Sequence, residues 1–250
     1  MMSQLKKIKT RNGFSLVELI VVLFILVGLA ALIVPTVTDL VGRTRASTAA
    51  SSINAVANAI QRYEVQYLTS PNNYDSLVTA IGIGTDLDTL DPLLNNLVTP
   101  IFADVTLTTA LRAPLTAAGI TSLGVHAVGA NSFVRATPTV LADNDVINGL
   151  TVLAQQALGL EGTGVLNKYV VLGVGTITDM KGRTMMEPPV AFPGEGPINP
   201  NTAYRRYLAV YQITDGTDPL LKAKIVAVIA PDGKGLAGEL ADYFKFVSIN

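Results

Sequence analysis

Apolar residues are not spread evenly along the chain. Residues 1–13 are polar and basic. The run FSLVELIVVLFILVGLAALIVPTVT, Phe14 to Thr38, then contains a single charge, Glu18. As a helix, 25 residues cover about 37 Å, enough to cross a hydrocarbon core of about 30 Å. Beyond it Ile53, Val56, Ala57, Ile60, Tyr63 and Tyr67 recur every three or four residues, which predicts one apolar helical stripe. Residues 46–61 carry no charge and are mostly small. Such a helix is expected to be covered on most sides, by its own head domain and by neighbours. Ser70-Pro71-Asn72-Asn73 ends it. The pattern predicts a single helix of about fifty residues, half lipid-facing and half protein-facing.

The periodicity weakens afterwards. Residues 74–165 read as a mixed α/β insertion. Short helices are expected at 75–81, closed by Gly82, and around 87–97, with Asp86, Asp88 and Asp91 as helix-start acids. A third is expected over 146–158, capped by Asp143, Asn144 or Asp145 and stopped by Gly159, although Gly149 lies inside it. From Lys168 the texture turns to strands: YVVLGVGTI, YLAVYQI, KIVAVIA and FKFVSI, divided by turn-rich stretches. Short links favour an antiparallel sheet over 168–250, packed on the outer half of the long helix. The expected class is α+β.

Composition narrows the chemistry. Charged residues make up 15% of the chain, against about 25% in an average soluble domain. With no cysteine there is no disulfide, thiolate metal site or cysteine nucleophile. Four of the 18 basic residues, Lys6, Lys7, Lys9 and Arg11, lie in the first thirteen positions. The rest of the chain keeps 14 against 19 acidic residues, so no nucleic-acid footprint is visible. A basic leader before an apolar span stays in the cytoplasm and sends the remainder outward.

The stretch GFSLVELIVVLFILVGLAALIVP, after the basic leader, resembles the processing and assembly motif of bacterial type IV pilins and type II secretion pseudopilins. The likeness covers residues 6 to about 36. It implies removal of residues 1–13 by a prepilin peptidase after Gly13, and methylation of the new N-terminus at Phe14. Glu18 lies one turn along the same helical face as Phe14. A carboxylate in lipid is costly and is usually paired. The resemblance implies that Glu18 meets the terminal amine of a neighbouring subunit. It also implies that Pro35 marks a segment that bends or melts on packing into a filament, where the residue alone equally predicts a helix kink at the membrane edge; Gly28 is one place off the family's usual glycine. The implied organisation is leader 1–13, transmembrane half 14–38, amphipathic half 39–68 and extracytoplasmic head 69–250. The implied place is the bacterial inner membrane, single-pass, and then a periplasmic or cell-surface filament. The implied partners are prepilin peptidase and other pilin or pseudopilin subunits.

Other readings stay open. Gly28 and Ala30 could mimic a signal-peptidase site, which would give a secreted or anchored binding domain. An anchored hydrolase is a third reading, but the chain has no Gly-x-Ser-x-Gly, phosphate loop or dinucleotide fingerprint. His126 is the only histidine and is read as structural, and Gly173 and Gly175 as packing residues. Asp232, Glu239 and Asp242 faintly resemble a calcium loop, but Lys234 adds an opposing charge, and a polar hairpin is the plainer reading. No enzyme activity, metal or cofactor is expected.

Overall fold

A computed structural model describes residues 15–77, 102–125, 137–160, 168–191, 205–216 and 218–247. Helix α1 runs from Leu16 to Tyr67 as one element. Leu68 closes it in the left-handed region at φ 60°, its N–H bonded to the Glu64 carbonyl, just before Ser70-Pro71. Of the expected stripe, Ile53, Val56, Ile60 and Tyr63 are buried, Ala57 is half-buried and Tyr67 is exposed, while Ala59 joins the buried face. Ile53, Val56, Ala59, Ile60 and Tyr63 are at most 4% exposed and join Tyr74, Val170, Leu172, Tyr211 and Ile213 in the main core.

The sheet the helix covers comprises β1 (Tyr74–Asp75), β2 (Phe102–Thr106), β3 (Ser122–Val125), β4 (Thr137–Val140), β5 (Val146–Leu150), β6 (Tyr169–Gly173), β7 (Leu208–Asp215) and β8 (Asp218–Ile229). β6 to β8 form the expected antiparallel series. The other edge of β6 is shared: Val170 pairs with Gly149 of β5, and Gly173 with Asp75 of β1. β5 continues to β2 and β1 to β3 and β4, so strands of the 74–165 region extend the same sheet. The β1–β3 pair is parallel, which makes the sheet mixed rather than purely antiparallel.

Three expectations on secondary structure need correction. Residues 146–150 form strand β5, and only Val152–Ala157 is helical, as α3. Gly149 is the reason: a Cβ there would strike the Val105 side chain and lie 2.7 Å from the Tyr169 carbonyl, so its bareness admits β2 and β6. The α3 cap is Thr151, whose hydroxyl accepts from the Ala154 N–H at 3.2 Å, while Asp143 is paired to Arg112 at 2.8 Å. Near 75–81, Tyr74–Asp75 is a strand and Leu77 has φ 64°, so no helix starts there; 78–81 and 87–97 lie outside the described residues. Lastly, the described part of FKFVSI, 244–247, is not a strand. Residues Leu236–Val247 form a C-terminal helix, α4, packed along α1, and 248–250 lie outside the described residues. Helix α2, Thr109–Ala118, packs near β8 and buries Leu111, Leu115 and Ala118.

Candidate functional site: the long N-terminal helix

The described chain begins at the N-cap of α1. The Ser15 N–H donates to Glu18 Oε2 at 2.8 Å, and the Glu18 N–H donates to Ser15 Oγ at 3.2 Å. This reciprocal pair satisfies two amides that the first turn leaves without helical partners. It also turns the only acid in the apolar run toward the start of the helix. The pattern Ser-x-x-Glu ahead of an apolar run signals such a box in sequence, so Glu18 has a capping role beside the assembly role that the resemblance implies. Gly13 and Phe14 lie outside the described residues. The helix continues through Pro35.

Among the described side chains from Leu16 to Val41, the large apolar ones of α1 stand exposed, Phe24 at 76% and Leu16 at 73%. The most apolar 18-residue window has a mean hydropathy of 3.1, and none of it is buried. By length and composition this is the one helix among the described residues able to cross a membrane. A water-soluble surface does not carry so wide an uncovered apolar area. Farther on, Thr44 and Thr48 turn their hydroxyls back onto the Leu40 and Thr44 carbonyls at 2.9 and 2.8 Å, which keeps them satisfied without water.

The far end of α1 is fastened to the head by polar contacts that the apolar pattern does not announce. Arg183 donates to the Tyr63 hydroxyl at 3.0 Å and lies 5.2 Å from the Tyr67 ring centre. Tyr63 and Tyr67 stack at 4.5 Å. Tyr67 is 39% exposed, so the guanidinium shields the one aromatic of the stripe that the core does not cover. Arg62 donates to the Thr184 carbonyl at 3.1 Å, and Ser70 to Glu64 at 2.5 Å. Behind them the Tyr74 and Tyr211 hydroxyls share a hydrogen bond at 2.8 Å, and burial holds both phenols well above their ordinary pKa. The opposite face, along Ala55, Asn58, Gln61, Arg62, Val65 and Gln66, lines an open concavity.

The acidic loop after β8 has its own cation. Lys234 Nζ lies 2.8 Å from Asp242 and 3.3 Å from Asp232. Although burial opposes it, these two carboxylates raise the ammonium's pKa to about 12. Glu239 points into the fold, 6% exposed. Burial first, and then the charge of Asp232, pushes its pKa up to about 7. Asp242 is held low by its hydrogen bond to Lys234. The opposing lysine therefore bridges two of the three acids of the suggested calcium loop, and among the described residues no group of acids or histidines is arranged to hold a metal. Gly175 packs as expected, with the Asp75 carboxylate where a Cβ would stand. His126, Asp86, Asp88 and Asp91 lie outside the described residues. Compared with known proteins, the chain matches no family model, no curated protein and no solved structure.

Proposed function

We propose that this chain is a structural subunit of the type IV pilin or pseudopilin kind, cut after Gly13 by a prepilin peptidase, methylated at Phe14 and built into a filament through its N-terminal helix. One observation carries the reading. α1 is a single helix whose first half leaves its apolar side chains uncovered and whose second half is built into the head. A removable signal needs no such continuity, because its apolar segment is discarded. The subunit is first held in the bacterial inner membrane with its head outside, and then passes into the filament.

The chemistry of the N-terminus supports an assembly role over a mere tether. Both members of the Ser15–Glu18 box lie after the cut, so the box survives processing. It engages Oε2, which leaves Glu18 Oε1 to meet a neighbouring subunit's amine. Each charge would then be neutralised where unpaired charge is costly. The proposed partners are the peptidase, other subunits and the membrane, and the role requires no catalytic chemistry.

The test is co-expression with a prepilin peptidase followed by N-terminal sequencing. The expected product begins at Phe14 with a methylated amine, and Gly13→Val prevents the cut. A product that begins near Ala31 would instead establish an ordinary signal sequence and overturn this reading.

A further inference from the structure

Helix α4 carries an apolar stripe on its outward side, while Leu236 packs inward on the main core. Positions 237, 240, 241 and 244 share one helical face. All four are exposed, Leu240 at 42% and Phe244 at 60%. On the opposite face Glu239 is buried and Asp242 half-buried. A helix at the surface of a water-soluble protein has the reverse pattern.

The position of α4 suggests what meets that stripe. Its first turn lies near Tyr207 and, through it, Ser52. Leu236 packs on the main core, and Tyr207, hydrogen-bonded to Ser52, feels the charge of Glu239. Twelve helical residues advance about 18 Å, the same rise that takes α1 back from Ile53 to Val41. Over that stretch Ala46 and Ala50 of α1 are buried at 6%, although neither belongs to the sheet-facing cores. Their burial points to α4, which packs along α1, running back over them. Its last turn then comes level with Leu40 and Val41, where the exposed apolar half of α1 ends. Near the end of α4, Tyr243 and Phe244 meet edge to face at 5.4 Å, next to the exposed Lys245, which lies 3.7 Å from Asp242. Aromatic rings and a lysine that can extend into water are the side chains favoured at the boundary between lipid and water.

We propose that the outward stripe of α4, Ala237, Leu240, Ala241 and Phe244, rests in the headgroup layer of the bilayer beside the membrane-crossing half of α1, and so fixes how the head sits on the membrane. The proposal rests on α1 spanning that membrane. Lipid suits the stripe better than a second copy of the chain does. One leucine, one phenylalanine and two alanines offer far less than the roughly 800 Å² per partner of a stable protein contact. Lipid also needs no matching surface, and it already meets the adjoining part of α1.

The chain has no cysteine, so single labels can be placed cleanly. The full chain is reconstituted in phosphatidylethanolamine–phosphatidylglycerol vesicles, with a nitroxide on Leu26→Cys, Leu221→Cys, Leu240→Cys or Phe244→Cys. Collision with dissolved oxygen, which concentrates in lipid, is compared with collision with a water-soluble nickel chelate. Leu221 on β8 is 97% exposed and reports water. The expected result is a preference for oxygen at 26, 240 and 244 and for nickel at 221. Oxygen preference at 26 with nickel preference at 240 and 244 overturns this proposal and leaves the membrane span standing. Nickel preference at 26 overturns both. Spin–spin broadening at 244 that persists when the protein is diluted with lipid assigns the stripe to a second copy and overturns the lipid assignment.

Discussion

Ser15 and Glu18 hold each other across the first turn of α1, the amide of each bonded to the side chain of the other. Glu18 is therefore a capping residue as well as the only acid of the apolar run. Glutamine can make the same cap but carries no charge. Glu18→Gln is expected to insert with its helix intact and to vanish from sheared filaments. Ser15→Ala loses about 1 kcal/mol of capping and still assembles. Immunoblots of membranes and of sheared filaments separate these outcomes. Full assembly of Glu18→Gln would reduce Glu18 to a cap.

Glu239 links stability to pH. Its folded pKa of about 7 lies above the ordinary 4.5, so the folded protein holds a proton that the unfolded chain has released. Below pH 4.5 both states are protonated and nothing is lost. Between 4.5 and 7 stability falls, and above 7 the loss is complete and constant. Glu239→Gln should match the parent's melting temperature at pH 4.5 in mild detergent. At pH 8 it should melt higher than the parent, a gain in stability on the order of 2 kcal/mol. Equal melting at both values would show that the buried carboxyl is relieved in some other way.

Two glycines give a matched pair. Gly149→Ala forces a Cβ against Val105 and the Tyr169 carbonyl and should cost about 1–3 kcal/mol, read as a lower urea midpoint. Gly28→Ala meets nothing within 4 Å and should leave that midpoint unchanged or raise it slightly. A neutral Gly149→Ala would mean that β5 can move away from β2 and β6.

Arg183→Ala removes both the hydrogen bond to Tyr63 and the cation above Tyr67. The expected loss is about 1–2 kcal/mol, with amide exchange rising first around residues 60–68. Arg183→Lys should recover only part of it, because an ammonium cannot lie flat on a ring as guanidinium does. Uniform exchange across the head would place the effect elsewhere.

The sequence by itself determined the elements whose signals are local and repeated. α1 is legible from residue spacing, because the buried stripe Ile53, Val56, Ile60 and Tyr63 follows the helical period over several turns. Its end before Ser70-Pro71 is legible from turn residues, and the strands β6 to β8 from β-branched and aromatic runs. Lys234 was visible as the charge opposing the calcium reading. The tertiary structure alone decided whatever depended on partners distant in sequence. Gly149 sits in a strand because Val105 and Tyr169 close around it, forty-four and twenty residues away. Aromatic and β-branched residues at 244–249 suggested a strand, but packing against α1 makes Leu236–Val247 a helix, with Glu239 turned inward. Local propensities differ by a few tenths of a kcal/mol per residue, whereas burial against a preformed surface contributes several times more for each large side chain, so the neighbours prevail.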